Sequence, residues 1–456
     1  MSEVVPPVAK GSATRTITLF AAASKAAGLM RSFVGARTLG TTAFADAYTA
    51  ANAVPNVLVD VVANGVANGA VVPLQAAAIA REEHAEADRA ISAQLSWLVV
   101  ITVPLTVAAI LGRNWIARAV LGSSHNDAQL AVASRMLIVL LLQIPLYGFG
   151  VVMSSALQAR RLFVGPAIAP LMSSTVLTAT YLIFAMVTKG RDIGTVSHGA
   201  ESLLVIGTTL GVVTLTMPLA IPLMRWGFRF TPTLRLAIEH RRGLARLGAA
   251  GLFAVVAQQA ATIITMRLAS AEDGGVVIMS LTITVVLMPL SLVASPLTTT
   301  SLPELAGARA IGDFMTFERI RGRLLHRTSR LGLVAGVVVA AGAPALAWVL
   351  LRSSPGDQSN VGLLARAIAI TAPAAFGVVI CHVTSRICFA LGEWRSAAVA
   401  AGGGWALAAI FEVIAIRIMS GFERTFVLSL CLTAGFMVST TISLRLAASR
   451  RVTEHR

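Results

Sequence analysis

The chain has 456 residues, of which 56% are hydrophobic and 13% are charged, and its mean hydropathy is +0.78. Soluble domains carry about 25% charged residues, so this composition excludes a soluble globular protein, and apolar runs of about 20 residues exclude a membrane barrel with its shorter strands. The formal charge of +16 does not indicate a nucleic-acid partner, because the basic residues lie in short segments between the apolar runs.

The apolar runs predict an all-α polytopic membrane protein with twelve transmembrane helices. The predicted spans are 16–38, 46–79, 91–112, 129–158, 163–188, 201–224, 244–269, 274–303, 328–352, 362–391, 396–419 and 422–446. If the N terminus lies inside, the cytoplasmic segments hold more than twice as many Lys and Arg residues as the outer ones. The positive-inside rule therefore predicts a multi-pass protein of the cytoplasmic (inner) membrane with both termini in the cytoplasm.

Span one has two positive charges inside an apolar sequence. Lys25 lies about halfway along the span, and Arg31 lies six residues further on. A charge at this depth costs several kcal/mol unless it is paired or hydrated. Two interpretations follow: an ion pair between Lys25 and Asp60 that locks spans one and two together, or a cationic cavity that receives an anionic head group.

Span two has a polar residue at every fourth position, which places these residues on nearly one helix face. The ladder consists of Asn52, Asn56, Asp60, Asn64 and Asn68. Lipid cannot satisfy amides and a carboxylate, so this face is predicted to contact protein or water. Hydrogen bonds between helices account for one or two such residues, whereas a ladder of five favours the lining of a cavity.

Prolines recur at corresponding places in spans two and eight. Pro55 and Pro73 lie in span two, and Pro289 and Pro303 lie in span eight. Proline bends a helix and frees a carbonyl, so these four are predicted as gates or hinges. The similar positions of the prolines in spans two and eight also predict two pseudo-symmetric six-helix bundles around a central cavity, an architecture typical of alternating-access transporters.

These patterns divide the chain into five predicted segments. They are a cytoplasmic tail (1–15), an N-terminal six-helix bundle (16–224), a basic amphipathic cytoplasmic linker (225–243), a C-terminal six-helix bundle (244–446) and a basic cytoplasmic tail (447–456). The sequence shows no catalytic constellation, no metal-ligand spacing and no Walker-type phosphate loop, so it predicts no enzyme, no metal and no cofactor.

Three segments resemble the MviN/MurJ family. They are "ARTLGTTAFADAYTAANAVPNVL" (36–58), "LQARRLFVGPAIAP" (157–170) and "MPLSLVASPLTTTSLPELA" (288–306). The first matches the pattern A-R-x-x-G, D-A-F/Y and P-N-L-L, the second the link from span four to span five, and the third span eight with its proline spacing. The resemblance covers essentially the whole chain.

Membership of that family implies the multidrug/oligosaccharidyl-lipid/polysaccharide (MOP) exporter fold and the flipping of lipid II. Lys25 and Arg31 correspond to the family's span-one arginines. The sequence departs from the family pattern at Val59 and Thr284, where the family has arginines, and at Asn64, where it has an acid. The two further C-terminal helices of many members are absent from these 456 residues. The cavity is therefore expected to be less cationic than the family pattern.

The resulting hypothesis is a flippase that moves a lipid-linked peptidoglycan precursor with an undecaprenyl pyrophosphate head group by alternating access. Its predicted substrate-binding residues are Lys25, Arg31, Asn52, Asn56, Asp60 and Asn64. The predicted partners are this anionic lipid, membrane lipids and other cell-wall synthesis proteins. The alternatives are another MOP-type exporter, either a polysaccharide-lipid flippase or a cation-coupled drug antiporter, and a non-transporting scaffold for cell-wall synthesis.

Overall fold

The structure is a computed structural model, and the residues that it describes form helices and connecting segments without a β-strand. The described residues are 10–59, 84–122, 127–160, 162, 164–188, 196–225, 227–234, 241–294, 297–298, 301, 305, 308, 312–352, 359–391, 393–419 and 421–449. The predicted all-α class is confirmed.

Nine α-helices are described in the N-terminal half. They are α1 (Lys10–Leu39), α2 (Ala43–Val59), α3 (His84–Leu111), α4 (Arg113–Leu121), α5 (Asp127–Leu140), α6 (Gln143–Ala159), α7 (Val164–Thr188), α8 (His198–Thr216) and α9 (Ala220–Arg225). A short 3-10 helix (Met217–Leu219) joins α8 to α9.

Six α-helices are described in the C-terminal half. They are α10 (Arg241–Ala269), α11 (Gly275–Pro289), α12 (Phe314–Leu351), α13 (Ser359–Ala390), α14 (Trp394–Ile418) and α15 (Arg424–Ser449). A π-helical turn (Leu290–Ala294) follows α11 directly.

Many of the described helices are long and apolar enough to cross a membrane. Within the described ranges, 9 helices are long and apolar enough to span a membrane, and the pair α5 and α6 gives a tenth span. Neither α1 nor α2 belongs to that set. Counting these two helices as the remaining crossings gives the predicted twelve spans, a number that stays a prediction.

The two halves repeat the same set of helix neighbours. In the N-terminal half α1 packs on α7, α7 on α8, α2 on α5 and α3 on α6. In the C-terminal half α10 packs on α14, α14 on α15, α11 on α13 and α12 on α13. Each helix pair of the C-terminal half corresponds to one pair of the N-terminal half, in the order given. The two bundles are therefore related by pseudo-symmetry, as the similar positions of the prolines in spans two and eight predict.

The predicted fourth span is broken near its middle. Helix α5 ends at Leu140 and α6 begins at Gln143, and the two axes differ in direction by 42°. Pro145 lies in the first turn of α6, where proline is tolerated because the first N–H groups of a helix have no intrahelical partner. The apolar run from 129 to 158 continues through the break, so hydropathy alone does not detect it.

Helix α12 begins 14 residues before the predicted span. The span was placed at 328–352, but the helix runs from Phe314 to Leu351. Asp313 caps it by accepting a hydrogen bond from the backbone N–H of Thr316 at 2.9 Å. This bond holds the pKa of the Asp313 carboxyl below its ordinary value. The prediction missed the first turns because hydropathy detects only the apolar part of a helix.

The middle of the predicted amphipathic linker, residues 227–234, is not helical. These residues run as irregular chain along the third and fourth turns of α3. The N–H of Thr231 donates to Ser92 Oγ at 3.2 Å, and Trp97 Nε1 donates to the carbonyl of Leu234 at 3.0 Å. Helix α10 begins at Arg241, inside the predicted linker boundary. The described linker is therefore fastened to the N-terminal bundle.

Candidate functional site

A cavity of about 440 Å³ lies between the two halves. Its wall comes from α1, α2, α6, α7 and α8 of the N-terminal half and from α11 of the C-terminal half; we call it the central cavity. The polar residues of its lining are Ser24, Arg31, Ser32, Tyr48, Thr49, Asn52, Asn56, Tyr147, Ser173, Ser174, Tyr181, Thr208, Ser280 and Thr284. Its volume lies within the range of ligand-binding pockets, about 300–1,000 Å³.

Arg31 gives the central cavity its charge. Within the described lining of this cavity, Arg31 is the only charged side chain, and it is partly buried. A guanidinium binds phosphate oxygens through two parallel hydrogen bonds. Its attraction for an anion is stronger in a cavity flanked by protein and lipid than in bulk water, because the effective dielectric is lower.

A second cavity of about 320 Å³ adjoins the first and contains Lys25; we call it the Lys25 cavity. The two cavities share Gly28, Arg31, Ser32 and Thr284. The charged side chains in the described lining of the pair are thus two cations and no acid. Both cations lie on α1, where the sequence predicted a cationic site.

The ammonium group of Lys25 contacts the other half of the protein. Its Nζ donates a hydrogen bond to the backbone carbonyl of Ser291. Pro289 lacks an N–H, and the chain changes from α to π geometry directly after it. Such π-helical turns are frequent at functional sites. Lys25 therefore bridges the two halves at the π-helical turn that follows α11.

Apolar side chains flank the Lys25 cavity. Leu29 and Leu292 belong to its lining, and Leu29, Met30 and Leu292 are 37%, 56% and 54% exposed. Exposed apolar groups at membrane depth can face acyl chains. The Lys25 cavity thus places two cations beside a lipid-compatible rim, which suits a ligand with an anionic head and an apolar tail.

The first two residues of the span-two ladder line the central cavity. Asn52 is partly buried and Asn56 is exposed, and the Asn56 amide donates to the carbonyl of Asn52 at 3.0 Å. Pro55 is buried between them inside α2. The lining favours the cavity interpretation of the ladder, although the role of these residues in binding stays a prediction.

Several predicted site residues lie outside the described part of the chain. They are Asp60, Asn64, Asn68, Pro73 and Pro303. The ion pair proposed between Lys25 and Asp60 therefore stays a prediction. Of the predicted hinges, Pro55 and Pro289 are both described, inside α2 and at the end of α11.

A hydroxyl cluster on the cavity wall was not singled out from the sequence. The Tyr48 hydroxyl is 2.8 Å from Thr208 Oγ1 and 3.2 Å from the Tyr181 hydroxyl. The three residues come from α2, α7 and α8, and all line the central cavity. The sequence signal is weak, because the three residues lie in different helices and each is one of several hydroxyl-bearing residues in its helix. Together they hold three helices of the N-terminal half around the cavity.

The halves are joined at the end of the molecule where α1 ends and α2 begins, which we call the latched end. Asp46 is 1% exposed. Its carboxylate accepts the backbone N–H of Gly274 at 2.8 Å and that of Val277 at 3.0 Å. These N–H groups belong to the first turn of α11, which lacks intrahelical acceptors and carries partial positive charge. An acid of one half therefore caps a helix of the other.

Further contacts close the latched end. Asn360 Nδ2 donates to Thr41 Oγ1 at 2.8 Å, and Ser270 Oγ donates to the carbonyl of Leu121 at 2.6 Å. Gly274 has φ +79°, and a Cβ at this position would lie 2.7 Å from the Cβ of Thr41. Only glycine fits so close an approach without strain. The two halves are thus held together at the latched end by hydrogen bonds and by close packing.

A sequence profile described as "Lipid II flippase MurJ" matches residues 35–455. The chain belongs to the MurJ family. One MurJ relative, the lipid II flippase of Burkholderia cenocepacia, is 24% identical over 381 residues, which are 81% of this chain and 71% of that protein. The resemblance predicted from the three motifs is confirmed.

Solved structures agree with the MurJ fold. A lipid II flippase MurJ in an inward closed conformation superposes with a TM-score of 0.76 at 16% identity, covering 94% of this chain and 87% of that one. An inward-facing multidrug resistance transporter of the MATE family in the MOP superfamily gives 0.71 at 15% identity, with 94% and 96% covered. These similarities confirm the MOP exporter fold.

Gly28 offers a direct test of the cavities in this MurJ family member. It lines both cavities, and a Cβ built on it meets nothing within 4 Å. We expect Gly28→Leu to fold normally but to weaken cargo binding about 5- to 150-fold, because overpacking against a ligand costs about 1–3 kcal/mol. Binding of a lipid-linked pyrophosphate to the purified variant measures this.

The matched control is Gly362→Leu on α13, where a Cβ also meets nothing within 4 Å and the residue lies outside both cavities. Equal binding by wild type and both variants would show that cargo does not occupy the space beside Gly28.

Proposed function

We propose that this protein flips a lipid-linked peptidoglycan precursor of the lipid II type, with an undecaprenyl pyrophosphate head group, from the inner to the outer leaflet of the cytoplasmic membrane. The observation that carries the proposal is the pair of cavities whose described charged residues are Lys25 and Arg31, beside an apolar rim. A pyrophosphate binds the two cations while its polyprenyl chain stays in the bilayer. Membership of the MurJ family supports the same cargo.

The binding step uses the contacts that the structure displays. The head group enters between α1 and α11, and its phosphate oxygens accept hydrogen bonds from Arg31 and from Lys25. Lys25 exchanges the Ser291 carbonyl for a phosphate oxygen, which is a stronger, charge-assisted acceptor. This exchange releases one link between the halves. Asn52 and Asn56 donate from α2, and Asp60 and Asn64 extend the same predicted face.

The transport step is a rocking of the two halves. With both termini in the cytoplasm, as the loop charges predict, the latched end faces outward and the structure is closed to the outside. Opening requires the loss of the bonds from Gly274 and Val277 to Asp46 and of the bond from Asn360 to Thr41. Pro55 and Pro289 are the proposed hinges. Other cell-wall synthesis proteins are proposed to act beside the flippase.

Complementation tests the proposed function. A bacterial strain depleted of its own lipid II flippase is expected to grow when it expresses the wild-type chain, and to lyse when it expresses the Gly28→Leu variant at the same membrane level. Lysis in both cases, with correct membrane insertion, contradicts the proposal. Proton- or sodium-dependent drug efflux in such cells would instead favour a MATE-like antiporter, and lysis despite correctly inserted wild-type chain is the result that a non-transporting scaffold predicts.

A further inference from the structure

A third cavity opens from the central cavity into the N-terminal half. It measures about 280 Å³ and lies between α6, the first turns of α7 and the end of α8; we call it the α6–α8 pocket. Tyr147, Pro170 and Leu215 line both this pocket and the central cavity. A ligand held at Arg31 therefore has a neighbouring space within the same half of the protein.

The chemistry of the α6–α8 pocket differs from that of the two cationic cavities. Its described lining contains no charged side chain, and its polar groups include Ser154, Ser155 and Gln158, spaced along one face of α6. Gln158 Nε2 donates to Ser154 Oγ at 3.0 Å. Hydroxyl and amide groups can each donate and accept, so this face can bind a ligand that carries hydroxyls and amides of its own.

Two prolines and a tyrosine add to this character. Pro166 and Pro170 both line the pocket, and Pro170 lacks the N–H that would bond the carbonyl of Pro166 in a regular helix. That carbonyl therefore lacks its regular α-helical donor. Tyr147 stands where the pocket meets the central cavity, and its ring offers a flat apolar surface with a polar tip.

From these observations we propose that the α6–α8 pocket binds the uncharged, hydroxyl- and amide-bearing sugar that is joined directly to the pyrophosphate of the cargo. This inference rests on the proposed function and deepens it. A phosphate at Arg31 places the attached sugar ring one bond away, next to Tyr147 and the polar face of α6. The pocket thereby distinguishes a carrier lipid loaded with sugar from the bare polyprenyl pyrophosphate, which offers the cations a pyrophosphate but has no sugar to fill the pocket.

The test compares two lipid probes on the purified full chain in nanodiscs. The probes are lipid II and undecaprenyl pyrophosphate, which share the pyrophosphate and the tail but differ in the sugar and peptide. The variant is Ser155→Ala combined with Gln158→Leu. We expect its affinity for lipid II to fall about 5- to 100-fold and its affinity for undecaprenyl pyrophosphate to change less than about twofold, because a site built for hydrogen bonds discriminates through them.

Two further variants keep the comparison interpretable. Gln158 is exposed at the mouth of the pocket, so Gln158→Leu alone leaves the packing intact and is expected to show the same selective loss at a smaller size. Thr175 is exposed on α7, bonds the carbonyl of Leu171 and lies outside the pocket, so Thr175→Val is expected to bind both probes like wild type.

Each result decides the inference. An equal loss for both probes, or no loss for either, overturns the sugar site while leaving the flippase proposal standing. Failure of the wild type to bind either probe overturns the proposed function and the inference with it. A loss confined to lipid II supports both.

Discussion

Replacement of Arg31 by alanine is expected to reduce the affinity for a lipid-linked pyrophosphate by about 30-fold to several thousand-fold and to abolish complementation. Truncating one partner of a hydrogen-bonded charge pair costs about 2–5 kcal/mol, and about 1.4 kcal/mol corresponds to a factor of ten. Arg31 lines both cavities, so its removal takes away a contact to the cargo and leaves the packing of α1 in place. Binding to the purified protein and growth of the depleted strain measure the two effects.

Two variants separate charge from geometry. Arg31→Lys keeps the charge but not the paired donors, so we expect it to retain part of the affinity. Arg417→Gln removes an exposed arginine from the end of α14, outside both cavities, and is expected to behave like wild type. Arg31→Ala protein that binds the lipid normally and supports growth would rule out the cationic site.

Replacement of Asp46 by asparagine is expected to raise the equilibrium ratio of open to closed molecules at the latched end about 5- to 150-fold. The carboxylate accepts two backbone N–H groups of α11. Loss of its charge removes about 1–3 kcal/mol from the closed state alone, and such a difference shifts a two-state equilibrium by that factor. The measurement is the labelling rate of a Thr49→Cys side chain in the central cavity by a membrane-impermeant thiol reagent added from outside.

The control for Asp46 is another acid that caps a helix but does not join the two halves. Glu272 accepts the backbone N–H groups of Arg424 at 2.6 Å and Thr425 at 3.3 Å, at the start of α15, so it caps a helix within its own half. Glu272→Gln is expected to leave the labelling of Thr49→Cys unchanged. The native cysteines Cys381, Cys388 and Cys431 are buried and give little background. Equal labelling of the Asp46→Asn protein and the wild type contradicts the latch.

The sequence was sufficient to place the cationic wall of the site. Lys25 and Arg31 interrupt an apolar helix, and the cost of a charge at that depth leaves few locations other than a cavity or an ion pair. The amide ladder led to Asn52 and Asn56 by the same reasoning, because helix periodicity fixes which side chains share a face. Such arguments work because the free-energy cost of exposing a charged or polar side chain to lipid depends only on the helix that carries it.

The latch could not be predicted from the sequence. The partners of Asp46 are backbone N–H groups of Gly274 and Val277, more than 200 residues away, and a backbone donor has no sequence signature. Lys25 likewise contacts a backbone carbonyl, that of Ser291, which has no sequence signature either. The ion pair between Lys25 and Asp60 stays a prediction, because Asp60 lies outside the described residues.

Helix boundaries were misplaced where hydropathy and helix propensity disagree. The first turns of α12 are basic and helical, and their signal was the cap formed by Asp313 and Thr316 rather than apolar character. The break between α5 and α6 lies inside a continuous apolar run, where Pro145 was the available signal. Capping and first-turn proline are therefore better boundary markers here than hydrophobicity.

Transbilayer movement of lipid II in liposomes that contain only the purified chain tests the central claim most directly. The account predicts that wild-type vesicles move the head group between leaflets faster than protein-free vesicles, and that Arg31→Ala vesicles with equal protein content do not. Movement in the wild type no faster than in protein-free vesicles, or equal movement with Arg31→Ala, would contradict it.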